Sequence, residues 1–174
     1  MKYSLNSRIL HWLMALIIIS LLAVGIYMTN FLSKESEYRM DFYNLHKSFG
    51  VLVIFLFTLR IVNRIANKPP TLPESMSKFE KFSAHFAHIL LYILMIFVPI
   101  AGYLMSNSYG YPVKLFGLEM PFLVQKNFDL AGLYGKLHMY AAYLLIGTIV
   151  VHVAGALKHR FFDKPEHDVL KRML

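Results

Sequence analysis

The sequence contains no cysteine. A chain without thiols forms no disulfide, binds no iron–sulfur cluster through cysteine and attaches no haem covalently. Acidic side chains are also scarce, with 10 Asp and Glu against 18 Lys and Arg. None of the acidic residues lies inside a long apolar run, which excludes a di-iron carboxylate bundle, because such a bundle needs Glu-x-x-His pairs. Any cofactor therefore has to be held by histidine, by oxygen ligands or by packing alone.

Long apolar runs dominate what is present. Apolar residues make up 57% of the chain and aromatic residues 15%, more than a soluble globular domain carries. Each of four runs has at least the roughly 20 residues needed to cross a bilayer as a helix. The sequence therefore predicts an all-α transmembrane four-helix bundle, with residues 1–174 as one integral-membrane domain. The predicted spans are Ile9–Phe31, Asn44–Ala66, Phe82–Met105 and Leu133–Leu157.

The positions of the charges predict an orientation. The first run is too long for a signal-peptide core and has no small-x-small cleavage site after it, so we expect a retained span. The net charge is +8. Basic residues precede the first run, follow the fourth and separate the second from the third. The positive-inside rule then predicts that both termini are cytoplasmic. Because these cations follow the membrane ends, the expected partner is the lipid bilayer and not nucleic acid.

Four histidines fall into two pairs of equal depth. His138 and His152 are 14 residues apart, which is close to four turns, so they share a helix face at a separation of roughly 21 Å. His11 begins the first run at the depth of His152. His46 begins the second run at the depth of His138. The predicted pairs are therefore His11 with His152 and His46 with His138.

Two imidazoles at equal depth on facing helices match the axial ligands of a six-coordinate haem. A tetrahedral zinc site needs four ligands that converge on one point, whereas these four histidines divide between the two sides of the membrane. The sequence therefore predicts two haems b, one near each surface, with His11, His46, His138 and His152 as iron ligands.

Other residues lie at the same depths. Gly25 and Gly102 leave room near the outer haem, although small residues also serve helix packing. Arg60 follows His46 by 14 residues and is a candidate partner for a propionate of the inner haem, or else a cytoplasmic membrane anchor. His88, one turn after His85, is a further candidate for cofactor binding at the cytoplasmic end.

Two histidines follow the fourth ligand. His159 lies seven residues after His152, on about the same face. Its ordinary pKa suits a proton donor to a quinone reduced beside the inner haem, and Arg60 and Arg64 are expected in the same region. His167 lies in a polar tail and is expected to be solvated.

Several ordered motifs resemble the prokaryotic cytochrome b561 family. They run from about residue 4 to the C-terminus and comprise His11-Trp12, Leu45-His46-Lys47-Ser48-Phe49-Gly50, Ala84-His85-Phe86-Ala87-His88, Phe116-Gly117-Leu118-Glu119-Met120-Pro121, Leu137-His138 and His152 with His159-Arg160-Phe161-Phe162. The family's four haem-ligand histidines correspond to His11, His46, His138 and His152.

The resemblance implies electron transfer across the bacterial inner membrane, with quinone as the usual membrane-soluble partner. The best-defined activity in the family is oxidation of superoxide at the periplasmic face, with electrons passed to ubiquinone. Such chemistry needs a cationic approach for an anionic substrate. Lys47, Lys136 and Arg39 are candidates for that role, although lysines at span ends are also ordinary interface anchors.

Two other functions remain open on the sequence. Related haem b chains anchor periplasmic hydrogenases or formate dehydrogenases and receive electrons from a docked protein. A different class is a small transporter that uses intramembrane histidines for protons or metal ions, although the spans lack the acidic residues that would assist it.

Overall fold

The computed structural model describes residues 2–174 and is mostly helical. Four long helices account for most of the chain: α1 (Leu5–Asn30), α2 (Arg39–Ala66), α3 (Lys78–Ser108) and α4 (Phe128–Phe161). All four are long enough and apolar enough to cross a membrane. The prediction of a helical protein with four membrane-spanning segments is thereby confirmed.

Polar caps make most of the helices longer than the apolar runs. Ser77 begins α3 in a capping box: its hydroxyl accepts a hydrogen bond from the backbone N–H of Glu80, and the Glu80 carboxylate accepts one from the backbone N–H of Ser77. Asn127 caps α4 by accepting bonds from two N–H groups of the first turn. Because caps satisfy otherwise unpaired N–H groups, helices begin on polar residues that hydropathy excludes. α2 begins at Arg39 rather than Asn44, without a side-chain cap.

The long connection between α3 and α4 contains a small β-hairpin. Strands β1 (Lys114–Leu115) and β2 (Leu118–Glu119) pair antiparallel. The two residues between them, Phe116 and Gly117, both have positive φ, at 49° and 99°. Two central residues of positive φ are what a tight two-residue hairpin turn requires.

This hairpin packs on the end of the bundle. The Ser48 hydroxyl of α2 donates to the Lys114 carbonyl at 2.7 Å and accepts from the backbone N–H of Phe116 at 3.2 Å. The Phe49 and Phe116 rings meet edge to face, and Val113 is fully buried. We call this end of the molecule the hairpin end.

The opposite end carries both chain termini and is called the terminal end. There the chain beyond α4 forms two short 3-10 helices, Pro165–His167 and Leu170–Arg172. The Trp12 indole N–H of α1 donates to the backbone carbonyl of Met173 at 2.8 Å. The C-terminal segment is therefore folded back against the bundle. Between α2 and α3, the proline-rich connection has no helix, because proline cannot continue one.

The prediction that His167 is solvated is wrong. Its residue exposure is 9%, and its ring Nε2 lies 2.8 Å from the Ser75 hydroxyl of the α2–α3 connection. The reason is tertiary: the 3-10 turn carries His167 against a loop that is distant in sequence, and the polar composition of the tail contains no sign of that contact.

Between the two ends, a core of buried apolar side chains joins all four helices. Its members are Met14, Ile18, Val53, Leu94, Val98, Ala141 and Leu145. Many large apolar side chains elsewhere on the helices point outward, as expected of a surface that faces lipid. In lipid the helices associate through close packing and hydrogen bonds, because the surrounding tails are as apolar as the side chains.

Candidate functional site

The structure brings the four candidate histidines together as two pairs, one at each end of the core. The ring centroids of His46 and His138 are 6.2 Å apart at the hairpin end. Those of His11 and His152 are 6.4 Å apart at the terminal end. These are the pairs that equal depth predicts from the sequence. They are called the hairpin-end pair and the terminal-end pair below.

Both separations suit a metal ion between the two rings. An ion bound about 2 Å from one nitrogen of each imidazole sets the two ring centroids about 6 Å apart. Rings that pack edge to face also lie about 4.5–7 Å apart, so these separations permit an ion between the rings without requiring one. The same interval at both ends therefore fits a bis-histidine metal site in each.

At the hairpin end, the backbone orients one ring and leaves the other unsatisfied. His138 Nδ1 lies 2.9 Å from the carbonyl oxygen of Val98, and because a carbonyl only accepts, Nδ1 carries the proton. The lone pair of the neutral ring is then on Nε2, free for a metal. His46 Nδ1 is buried and has no hydrogen-bond partner among residues 2–174. Buried polar atoms are normally paired, so this nitrogen also points to a missing ligand.

Glycines make room for both rings of this pair. A Cβ on Gly102 would lie 2.9 Å from His138 Cε1 and Nδ1, which real contacts do not tolerate. A Cβ on Gly25 would lie at an ordinary 3.5 Å from His46 Cε1. Gly102 is thus required for the observed position of His138, whereas Gly25 permits a small side chain.

At the terminal end, an arginine contacts the pair. Arg60 Nη2 donates to His11 Nδ1 at 3.2 Å, and Arg60 Nε donates to the Tyr92 hydroxyl at 3.2 Å. The guanidinium carbons of Arg60 and Arg64 lie 5.6 and 5.4 Å from the centroid of the Tyr92 ring, within the range of cation–π attraction. Two positive charges therefore gather beside this pair, as the spacing of Arg60 predicts.

A third histidine stands beside the same pair. The centroid of His88 is 5.4 Å from that of His152, closer than the interval described above for an ion between two rings. His85 turns away: it is exposed, and its Nδ1 donates to the Lys81 carbonyl of its own helix at 2.7 Å. The geometry therefore favours His11 over His88 as the partner of His152 across a metal.

A cleft of about 460 Å³ opens at this end between α2, α3 and the proline-rich connection. Its polar lining includes Tyr3, Arg64, His85, His88 and Tyr92. His159, expected in the same region, does not line it. Its Nδ1 instead lies 2.6 Å from Asp163 Oδ2.

The whole described chain resembles known proteins. Residues 2–174 match the family model described as prokaryotic cytochrome b561. The chain is 33% identical over 174 residues to cytochrome b561 homolog 2 of Escherichia coli (strain K12), covering 99% of this chain and 91% of that protein. It is 30% identical over 173 residues to the probable superoxide oxidase CybB of Yersinia pestis, covering 99% and 96%. Cytochrome b561 homolog 1 of E. coli is 21% identical, covering 99% and 97%.

The chain belongs to the prokaryotic cytochrome b561 family. Members of this family are haem b proteins of electron transport, and the resemblance read from the sequence motifs is confirmed. The residues present fit that cofactor: the spacing of the two pairs, the unpaired nitrogen of His46 and the room beside Gly102 all suit haem.

The three basic residues predicted to steer an anion differ in their contacts and exposure. Lys47 Nζ donates to the Pro112 carbonyl at 3.1 Å, so it also holds the connection between α3 and α4. Lys136 is exposed. Arg39 lies over the Tyr43 ring, 5.3 Å from its centroid. A steering role for Lys47 and Lys136 stays a prediction.

The sequence analysis missed the acidic partner of His159. Asp163 accepts from Lys158 Nζ at 3.0 Å as well as from His159. The bond from Lys158, joined by that from His159, holds the pKa of the Asp163 carboxyl below its ordinary value. The sequence does contain a sign of this cluster, because His159, Asp163 and His167 follow one another at four-residue intervals. The helix, however, ends at Phe161, before Asp163.

Proposed function

We propose that the chain holds two haems b, ligated by His46 and His138 at the hairpin end and by His11 and His152 at the terminal end, and carries electrons across the bacterial inner membrane. The observation that carries this proposal is the pair of matched centroid separations, 6.2 and 6.4 Å, at opposite ends of one bundle. When bound, the haem irons supply one-electron chemistry. The protein supplies ligands, spacing and local charge.

The charge distribution supports a cytoplasmic terminal end. Arg60 and Arg64 lie at this end of α2, and basic residues flank both termini. The positive-inside rule then assigns the hairpin end to the periplasm. In this orientation His46 and His138 would hold the haem nearer the periplasmic donor, and His11 and His152 would hold the haem nearer the cytoplasm.

We propose superoxide as the periplasmic donor. The support is the similarity to a protein named probable superoxide oxidase, together with Lys47 and Lys136 near the hairpin-end pair in sequence. Each superoxide gives up one electron and leaves as dioxygen. Positive side chains at the approach raise the local concentration of an anion.

The proposed acceptor is membrane quinone at the terminal end. A quinone takes two electrons and two protons, so two superoxide anions reduce one quinone to quinol. His159 is the proposed proton donor: its Nδ1 is bonded to Asp163 Oδ2, which leaves Nε2 as the atom that gives the proton. The cleft that Arg64 and His88 line is a second candidate place for the quinone ring, and a quinone bound there would not contact His159, which does not line it.

Arg60 has a proposed role in cofactor binding. An arginine only donates hydrogen bonds, so in the structure His11 Nδ1 accepts and its proton is on Nε2. Binding of iron through Nε2 requires the opposite tautomer. We therefore propose that Arg60 pairs with a haem propionate when the haem is bound, which releases His11 Nδ1.

The first test is a reduced-minus-oxidised optical spectrum and a haem assay on the purified chain. We expect two haems b per chain, and one in His138→Ala; His85→Ala, which removes an exposed histidine, should retain both. Absence of haem b from the wild type would refute the proposal and favour a histidine-dependent transporter.

The second test follows quinone reduction after rapid mixing with superoxide. We expect quinol formation faster than spontaneous dismutation in the wild type and at least about 100-fold slower in His138→Ala, since the periplasmic end of the electron path is removed. A wild-type rate no faster than dismutation would exclude superoxide. Co-purification of a dehydrogenase or hydrogenase subunit would then favour an anchoring role.

A further inference from the structure

We propose that His159, Asp163 and His167 form a binding site for a divalent metal ion of the zinc class, separate from both histidine pairs; with a metal bound, His159 would act as a ligand and not as a proton donor. One ligand atom from each residue lies within 4.8 Å of the others. His159 lies in the last turn of α4, Asp163 follows the end of that helix, and His167 is the last residue of the first 3-10 helix. The site thus joins the helix to the folded-back C-terminal segment.

The three side chains converge on one carboxylate oxygen. Nδ1 of His159 is 2.6 Å and Nδ1 of His167 is 3.9 Å from Asp163 Oδ2. Their side chains are 11%, 11% and 15% exposed in the order His159, His167 and Asp163. The cluster is therefore mostly shielded, yet it lies at the end of the bundle, where an ion can reach it from solution.

A second layer of contacts orients His167 as a metal ligand. The Ser75 hydroxyl donates to Glu166 Oε1 at 3.4 Å and lies 2.8 Å from His167 Nε2. With its own proton directed to Glu166, the Ser75 oxygen accepts from His167 Nε2–H. The lone pair of His167 is then on Nδ1, facing the Asp163 carboxylate. A proton or a metal ion between these two acceptors would make the contact favourable, and ligating histidines usually carry a partner such as Ser75 on the other nitrogen.

Lys158 competes with a metal ion for the Asp163 carboxylate, and Glu80 is a second partner for it. Its Nζ lies 3.0 Å from Asp163 Oδ2 and 2.6 Å from Glu80 Oε1. When a metal ion takes the Asp163 oxygen, Lys158 keeps its ion pair with Glu80. The lysine therefore weakens metal binding at this site but does not block it.

The ligand set selects the class of ion. Two imidazoles and one carboxylate with an open fourth position are typical of zinc and of related transition metals. Magnesium and calcium prefer oxygen ligands throughout. For tetrahedral bonds of about 2 Å the ligand atoms stand about 3.4 Å apart, so the 2.6 Å contact of His159 with Asp163 has to open and the 3.9 Å separation of His167 from Asp163 has to close, each by less than about an ångström. Asp163 and His167 lie beyond α4, where the backbone can make that adjustment.

The experiment uses the full-length, haem-loaded chain purified without a polyhistidine tag. Equilibrium dialysis against Zn²⁺, with elemental analysis, separates bound zinc from haem iron. We expect one zinc per chain, with affinity lowered about 100-fold or more in His167→Ala and 10–100-fold in Ser75→Ala, which removes only the outer contact. His85→Ala is the matched control for loss of an exposed histidine and should bind as the wild type does.

A variant with the opposite expectation guards against misfolding. Lys158→Gln removes the competing cation and should tighten zinc binding, about tenfold, which no damaged protein would mimic. The proposal is overturned if the wild type binds no stoichiometric zinc, if His167→Ala binds as tightly as the wild type, or if Mg²⁺ competes on equal terms. It is also overturned if Lys158→Gln binds no tighter, because Lys158 would then not share the oxygen that the metal uses.

Discussion

The two histidine pairs have almost the same separation but different surroundings. At the hairpin end, His138 is held by the carbonyl of Val98 and packs against Gly102, so neutral backbone defines its position. At the terminal end, His11 accepts a bond from Arg60, and His88 stands beside His152. One end positions its rings by close backbone approach, and the other adds charged and titratable side chains.

This difference bears on the direction of electron flow. Reduction of a haem adds negative charge, and a nearby cation stabilises the reduced state, which raises the reduction potential. Arg60 and Arg64 lie at the terminal end. If both ends hold haem as proposed, the terminal-end haem has the higher potential. Electrons then move from the hairpin end to the terminal end without any moving part.

The sharpest way to break the comparison is Gly102→Val. Its Cβ alone would meet the His138 ring at 2.9 Å, so the ring has to leave its position beside α3. We expect loss of the hairpin-end haem and retention of the terminal-end haem, measured as one haem per chain in place of two. The superoxide-driven rate should fall at least about 100-fold with it.

The matched control for this variant is Gly147→Val in α4. A Cβ at Gly147 meets nothing within 4 Å, so the same substitution should leave both haems bound. Equal loss of haem in the two variants would mean that glycine at position 102 serves general helix packing. Two retained haems in Gly102→Val would contradict a role of close backbone approach at the hairpin end.

A medium effect is expected from Arg60→Leu. Removing one positive charge near the terminal-end pair should lower the potential of that haem by roughly 40–90 mV, equivalent to about 1–2 kcal/mol for a one-electron couple. The potential of the hairpin-end haem should change little. A redox titration followed in the visible spectrum separates the two components.

The conservative variant Arg60→Lys keeps the charge and loses the fork of donors. It should recover most of the potential even though the contacts with His11 and Tyr92 change. If Arg60→Lys shifts the potential as far as Arg60→Leu does, the arginine acts through hydrogen bonding and not through its charge. The electrostatic contrast between the two ends would then be wrong.

The sequence predicts the spans and the histidine pairs because both depend on regular geometry. A helix that crosses a bilayer has a known length, and residues 14 apart share a face, so His138 and His152 could be placed without a structure. Gly25 lies 14 residues after His11, and the structure places it beside His46.

What the sequence leaves out depends on contacts between distant segments. The bond from His138 to Val98 uses a backbone carbonyl, which every residue possesses and no side-chain pattern marks. The burial of His167 depends on the proline-rich connection meeting the C-terminal segment at Ser75. The observed starts of α3 and α4 lie outside the apolar runs, because the membrane criterion detects hydrocarbon thickness and not helix caps.

The smallest effect is expected from His88→Gln, and it decides which histidine completes the terminal-end pair. The centroid of His88 is 5.4 Å from that of His152, whereas His11 lies at 6.4 Å, the separation that suits an intervening ion. We expect His88→Gln to retain two haems per chain, with a shift of the terminal-end potential smaller than that of Arg60→Leu. His11→Gln, the matched change, should retain one haem. The reverse result would make His88 the ligand, and His11 would then be the neighbour that tunes it through Arg60.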